Sequence, residues 1–114
     1  MKHDIIYLQH IIDASKFIEK YVAHGKEAFL SDDMIQNATI KVLANISESA
    51  GHLKEETRSE YRQISWSKVK SFRNFLVHDY LGDIDFELVW NIAHKDLLEL
   101  VCVAKKILEE KYNL

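Results

Sequence analysis

Apolar residues recur at three- and four-residue steps along most of the chain, the signature of helices that turn one face inward. From about Asp4 to His24 the stripe is Leu8, Ile11, Ser15, Ile18 and Val22, and Gly25 ends it. After a short link through Phe29, Ser31 is placed to cap a second helix, with Asp32 and Asp33 in its first turn, where the positive end of the helix dipole favours acids. Its stripe is Ile35, Ala38, Val42, Ile46, Ser49 and Leu53. Lys54 to Ile64 is highly charged and weakly periodic, which predicts a connector with room for a turn of helix.

Ser65 then caps a third helix that begins at Trp66, runs to about His78, frays near Tyr80 and gives way to a loop through Gly82. Asp85 caps a fourth, in which Phe86, Val89, Trp90, Ala93, Leu97, Leu100, Ala104 and Leu108 hold one face for roughly six turns. Trp66 and Trp90 fall on these stripes and read as core. Four helices with short links predict an all-α fold, an antiparallel four-helix up-and-down bundle with a charged connector between helices 2 and 3. No repeat, low-complexity tract or interdomain linker interrupts it, so one helical domain over residues 1–114 is expected.

Composition supports that reading. Proline is absent and glycine occurs three times, and both residues weaken helix interiors. With 47% hydrophobic and 29% charged residues, disorder is not expected. Cys102 is the single cysteine; it makes no internal disulfide, and its apolar neighbours predict a small core residue. The N-terminal stretch has no long apolar run of the kind a signal peptide or membrane span needs, so a cytoplasmic protein without a membrane partner is expected.

The net charge of −3 argues against a general nucleic-acid binder, whose sequence-independent affinity comes from many Lys and Arg on phosphates. Any contact with RNA must be local. Arg58, Arg62, Lys68, Lys70 and Arg73 cluster in one part of the chain, although Glu55, Glu56 and Glu60 share it. HExxH, paired-cysteine and EF-hand spacings are missing, as is a glycine-rich phosphate loop, so neither a metal nor another cofactor is expected. His3, His10, His24, His52 and His94 are scattered and read as surface or satisfied residues.

The segment Arg73-Asn74-Phe75-Leu76-Val77-His78-Asp79-Tyr80 gathers a fixed cation, an amide, an imidazole, a carboxylate and a phenol. On the third helix Trp66, Val69, Phe72 and Leu76 define the core side, with Arg73 on its edge. Asn74 and His78 stack on the other flank with Ser67 and Ser71, bordered by Phe75, which predicts a second contact surface there. Arg73 and His78 lie about 140° apart in projection on a regular helix, so one helix cannot aim both at one phosphate. The difficulty disappears if the helix ends or distorts before His78, or if two copies of the chain build the site across a twofold axis. Glu48 on the second helix is open between a place near this motif and a solvated or core-edge position.

The spacing Arg, four residues, His, one residue, Tyr resembles the signature of the HEPN domains, specifically their HepT toxin branch. Trp66-Ser67-Lys68-Val69, Gly82-Asp83-Ile84-Asp85 and Val89-Trp90 match the branch's layout as well, so the resemblance spans about Phe29 to Leu108. It implies a homodimer in which the motifs of two protomers meet in a cleft. It further implies an endoribonuclease, with Arg73 and His78 as catalytic residues and Asn74 and Asp79 in support. In the HepT branch the toxin is paired with a minimal nucleotidyltransferase antitoxin that transfers AMP onto the motif tyrosine, here Tyr80. Adding bulk and negative charge beside the cleft would repel RNA. The resemblance therefore predicts the toxin of a type II-like or type VII toxin-antitoxin pair, with an RNA substrate such as tRNA or mRNA. A non-catalytic HEPN module that binds and assists the nucleotidyltransferase is the alternative, and a purely structural helical dimer is a third.

Overall fold

The structure, a computed structural model, describes residues 2–78 and 84–114, with the side chains of Lys2 and residues 76–78 outside the description. The described residues are mostly helical and include no strand, an all-α bundle as the apolar stripes predict. Helices α1 (Lys2–Val22), α3 (Asp33–Gly51), α5 (Trp66–His78) and α7 (Leu97–Tyr112) are its long members. Short helices α2 (Lys26–Leu30) and α4 (Glu55–Glu60) lie in the links, and α6 (Phe86–Asn91) joins α7 through a π-helical turn at Ile92–Asp96.

The expected link through Phe29 is a helix instead. Gly25 adopts φ 93° at its start, a conformation that a residue with a Cβ rarely takes, and the turn lets Phe29 bury itself against Trp90 with ring centroids 5.6 Å apart. Burying a phenyl ring in this way contributes roughly 2–3 kcal/mol. The cap of α3 is Asp32 rather than Ser31: the Asp32 carboxylate accepts from the backbone N–H of Met34 and Ile35. Ser31 instead returns its hydroxyl to the carbonyls of Glu27 and Ala28 and closes α2.

Helix α3 is the central element, packed on α1, α2 and α5. Three neighbours bury a wider face than one apolar stripe describes. Ile46, Ser49 and Leu53 are buried as expected, but Ile35, Ala38 and Val42 are only half-buried, and Gln36, Thr39, Ile40, Leu43, Ser47 and Ala50 lie inside. The polar members are tolerated because they are paired: Gln36 Nε2 donates to the Phe29 carbonyl at 3.0 Å and Thr39 Oγ1 to the Ile35 carbonyl at 2.7 Å.

Helix α7 packs on α1 and completes the core with Leu97, Leu100, Val103, Ala104, Ile107 and Leu108. Cys102 falls between these positions and is exposed, contrary to its expected place in the core. Among the described residues, no helix is long and apolar enough to cross a membrane.

Candidate active site on helix α5

Helix α5 begins where its local sequence says it should. Ser65 Oγ accepts from the Lys68 N–H at 3.4 Å, and the Ser65 carbonyl takes the Val69 N–H at 3.1 Å. Just inside, the Trp66 indole Nε1–H is shared between the carbonyls of Arg58 and Tyr61, each at 3.0 Å. That fork ties the start of α5 to the end of α4. Helix α4 is anchored in turn by Asp4, whose fully buried carboxylate accepts from the Lys54 N–H and the Thr57 hydroxyl. The direction of α5 is thus set from its N-terminal end.

Beyond this joint, α5 packs chiefly on α3. Trp66, Val69, Phe72 and Phe75 are half-buried, and the rings of Phe72 and Phe75 lie 6.4 Å apart. Phe75 therefore turns toward the core cluster rather than away from it. Between α5, α3 and the α6–α7 segment runs an apolar cleft of about 500 Å³, lined by Ile46, Val69, Phe72, Phe75, Leu88 and Leu97 among others. Lys68 and Asp96 form an ion pair at its edge, 3.8 Å apart. Asp96 belongs to the π-helical turn, where His94 stacks on Trp90 at 5.1 Å. Nothing in the apolar periodicity announced that turn.

The motif residues divide between what is described and what is not. Arg73 is partly exposed, and its Nη2 stands 3.7 Å from Glu48 Oε1 on α3. Asn74, Ser67 and Ser71 are exposed. The backbone of His78 is the last helical residue of α5, while its side chain, together with Asp79, Tyr80 and the predicted loop at Gly82, lies outside the described residues. Glu48, which the sequence left open, sits beside the motif arginine. Its position on α3 one residue before buried Ser49 was the available signal.

Titration is perturbed near the α4–α5 joint. The Tyr61 hydroxyl donates to Glu110 Oε1 at 2.8 Å, and burial first, then Glu110, pushes the phenol from 10.0 up to about 12. Burial, then the charge of Asp4, also raises Tyr112. The hydrogen bond to Glu60 raises Lys111. Among the described residues, no group of three or more His, Cys, Asp or Glu side chains is arranged to hold a metal ion.

The described residues form an all-helical bundle in which Arg73 and the backbone of His78 lie on one helix. The family model described as Ribonuclease HepT-like matches residues 11–107, and the chain belongs to that family. The match begins well before Phe29, where the sequence resemblance was first placed. A gamma-glutamylcyclotransferase and candidate RNase of Methanocaldococcus jannaschii is 32% identical to this chain over 123 aligned positions. The alignment takes in all of this chain and 55% of that relative, so the chain spans little more than half of its length. No solved structure matches.

Proposed function

We propose that the chain is a metal-independent endoribonuclease whose site is composed from two copies of α5. A histidine takes the 2′-hydroxyl proton, the 2′-oxygen attacks phosphorus, and the bond from phosphorus to the 5′-oxygen breaks. A second histidine protonates the leaving 5′-oxygen, giving 2′,3′-cyclic phosphate and 5′-hydroxyl ends. His78 of each copy supplies these two roles, its imidazole being the side chain suited to both near neutrality. Arg73 binds the scissile phosphate in the bidentate manner that Lys cannot reproduce, with Asn74 and Asp79 orienting the phosphate or the imidazole.

The observation that carries the composite arrangement is the uninterrupted α-helix Trp66–His78. On a regular helix positions five residues apart lie about 140° apart in projection, so an unbroken helix through the backbone of His78 favours a site shared between two copies over one built on a single α5. Membership of the HepT-like ribonuclease family supports the reaction class. We further propose that the protein is the toxin of a toxin-antitoxin pair, silenced when a minimal nucleotidyltransferase transfers AMP to Tyr80.

The test is cleavage of total cellular RNA and of a tRNA pool in EDTA, comparing wild type with His78→Ala of matched dimer content. Cleavage by wild type alone, leaving cyclic phosphate ends, is the expected result. No cleavage by either protein, once mass spectrometry has found Tyr80 unmodified, sinks the nuclease reading and leaves a module that binds the nucleotidyltransferase.

A further inference from the structure

We propose that Glu48 is a positioning residue for RNA cleavage: its carboxylate holds one corner of the Arg73 guanidinium so that the remaining donors face the scissile phosphate. The inference rests on the proposed role of Arg73 as the phosphate-binding cation and assigns a task to a residue on a different helix.

The geometry fits a tether rather than a lock. Glu48 Oε1 approaches a single guanidinium nitrogen, Nη2, at 3.7 Å, and the two side chains are 52% and 43% exposed. Arginine carries five N–H donors in a planar fork. A contact at one corner leaves the others free to reach a phosphate from solvent. An untethered arginine loses much rotamer freedom when it grips a ligand; one already oriented by a neighbouring helix loses less. Helix α3 can do this because it is the element on which α5 packs and is itself fixed by three neighbours.

An exposed ion pair at this distance contributes little to folding, so its loss should leave the fold intact. The carboxylate also has a cost. It places a negative charge near the path of an RNA phosphate, which weakens ground-state binding through screened repulsion. Orientation and repulsion act on different kinetic constants, which separates this role from a structural one. A variant without the charge should bind RNA as well as wild type or better, and cleave it more slowly.

The experiment compares wild type, Glu48→Gln and Glu48→Asp on one oligoribonucleotide for kcat and KM, and on its 2′-O-methyl form, which cannot be cleaved, for Kd. The Arg73 Nε–Hε resonance is followed in parallel by NMR. Glu48→Gln should lower kcat on the order of tenfold, within the range that small misplacements of a catalytic group cost. KM and Kd should stay level or fall, the Arg73 resonance should shift, and the thermal midpoint should not move. Glu48→Asp, which keeps the charge on a shorter stem, should recover part of the rate. A kcat within about twofold of wild type, or a loss carried entirely in KM and Kd, overturns the proposal. So does an Arg73 resonance identical in all three proteins. A wild type that cleaves no RNA overturns the nuclease reading and this inference together, whereas active wild type with equally active Glu48→Gln overturns this inference alone.

Discussion

The Thr57 hydroxyl donates to the carboxylate of Asp4 at 2.5 Å, joining the first turn of α1 to α4 across 53 residues of sequence. The other carboxylate oxygen takes the Lys54 N–H at 3.1 Å, so a side chain from α1 ties down the residue that leads into α4. Asp4 is fully buried, and a buried carboxylate persists only with such partners. Asp4→Ala leaves the amide and the hydroxyl unsatisfied and should destabilise the protein by about 2–4 kcal/mol. Thr57→Val, which removes the hydroxyl donor and keeps the Lys54 amide, should cost about 1–2 kcal/mol. Urea unfolding measures both, and an Asp4→Ala protein as stable as wild type would show that the carboxylate does not anchor α4.

Tyr61 links the same region to α7 and gives it a pH dependence. Its phenol is raised on folding from 10.0 to about 12, so the folded state favours the protonated form. That contribution is complete below about pH 10 and is lost as the pH climbs from 10 toward 12. Tyr61→Phe keeps the ring in place and gives up the hydrogen bond to exposed Glu110, a change of about 1 kcal/mol or less at neutral pH. Stability measured at successive alkaline pH values should fall less steeply in the variant. Identical slopes would remove Tyr61 as the titrating group.

Caps are legible in the sequence to within a residue, Asp32 taking the place expected of Ser31, while long-range packing is less so. Ser65 and Asp85 act as caps and Trp66 opens α5 because a cap depends on residues within one turn. The inward face of α3 was displaced because it is chosen by three neighbouring helices, which no single-stripe count contains. The same limit applies to the site. Arg73 and His78 were legible as a motif, and Glu48 as a candidate neighbour, but its pairing with Arg73 was left open because it depends on the packing of α3 on α5.

Cys102 makes the limit measurable. Its apolar neighbours Val101 and Val103 suggested a core position, but successive residues on a helix point about 100° apart, and the buried positions around it are Leu100, Val103 and Ala104. The exposed thiol should react with an aromatic disulfide reagent in native buffer, to one equivalent and at the same rate as after unfolding to within about tenfold. A thiol that reacts only in denaturant would return Cys102 to the core.

The cleft beneath α5 predicts an asymmetry between two phenylalanines. Phe29 is 1% exposed and packed against Trp90, so Phe29→Ala empties a closed volume and should cost about 3–5 kcal/mol. Phe72 is half-buried and already borders an open space of about 500 Å³. Truncating it enlarges an existing cleft and forfeits only part of a ring's burial, so Phe72→Ala should cost about 1–2 kcal/mol. The activity change should run the other way. Helix α5 carries Arg73 and packs on α3, with Phe72 against the core cluster, so if the proposed RNA cleavage is correct, Phe72→Ala should lower it beyond the loss of folded protein, while Phe29→Ala should lower it only in proportion to the folded fraction. Chemical denaturation and cleavage assays on the same preparations decide it. If Phe72→Ala proves as destabilising as Phe29→Ala, the cleft is filled and load is carried across it; if it leaves cleavage untouched, the placement of α5 does not depend on that ring.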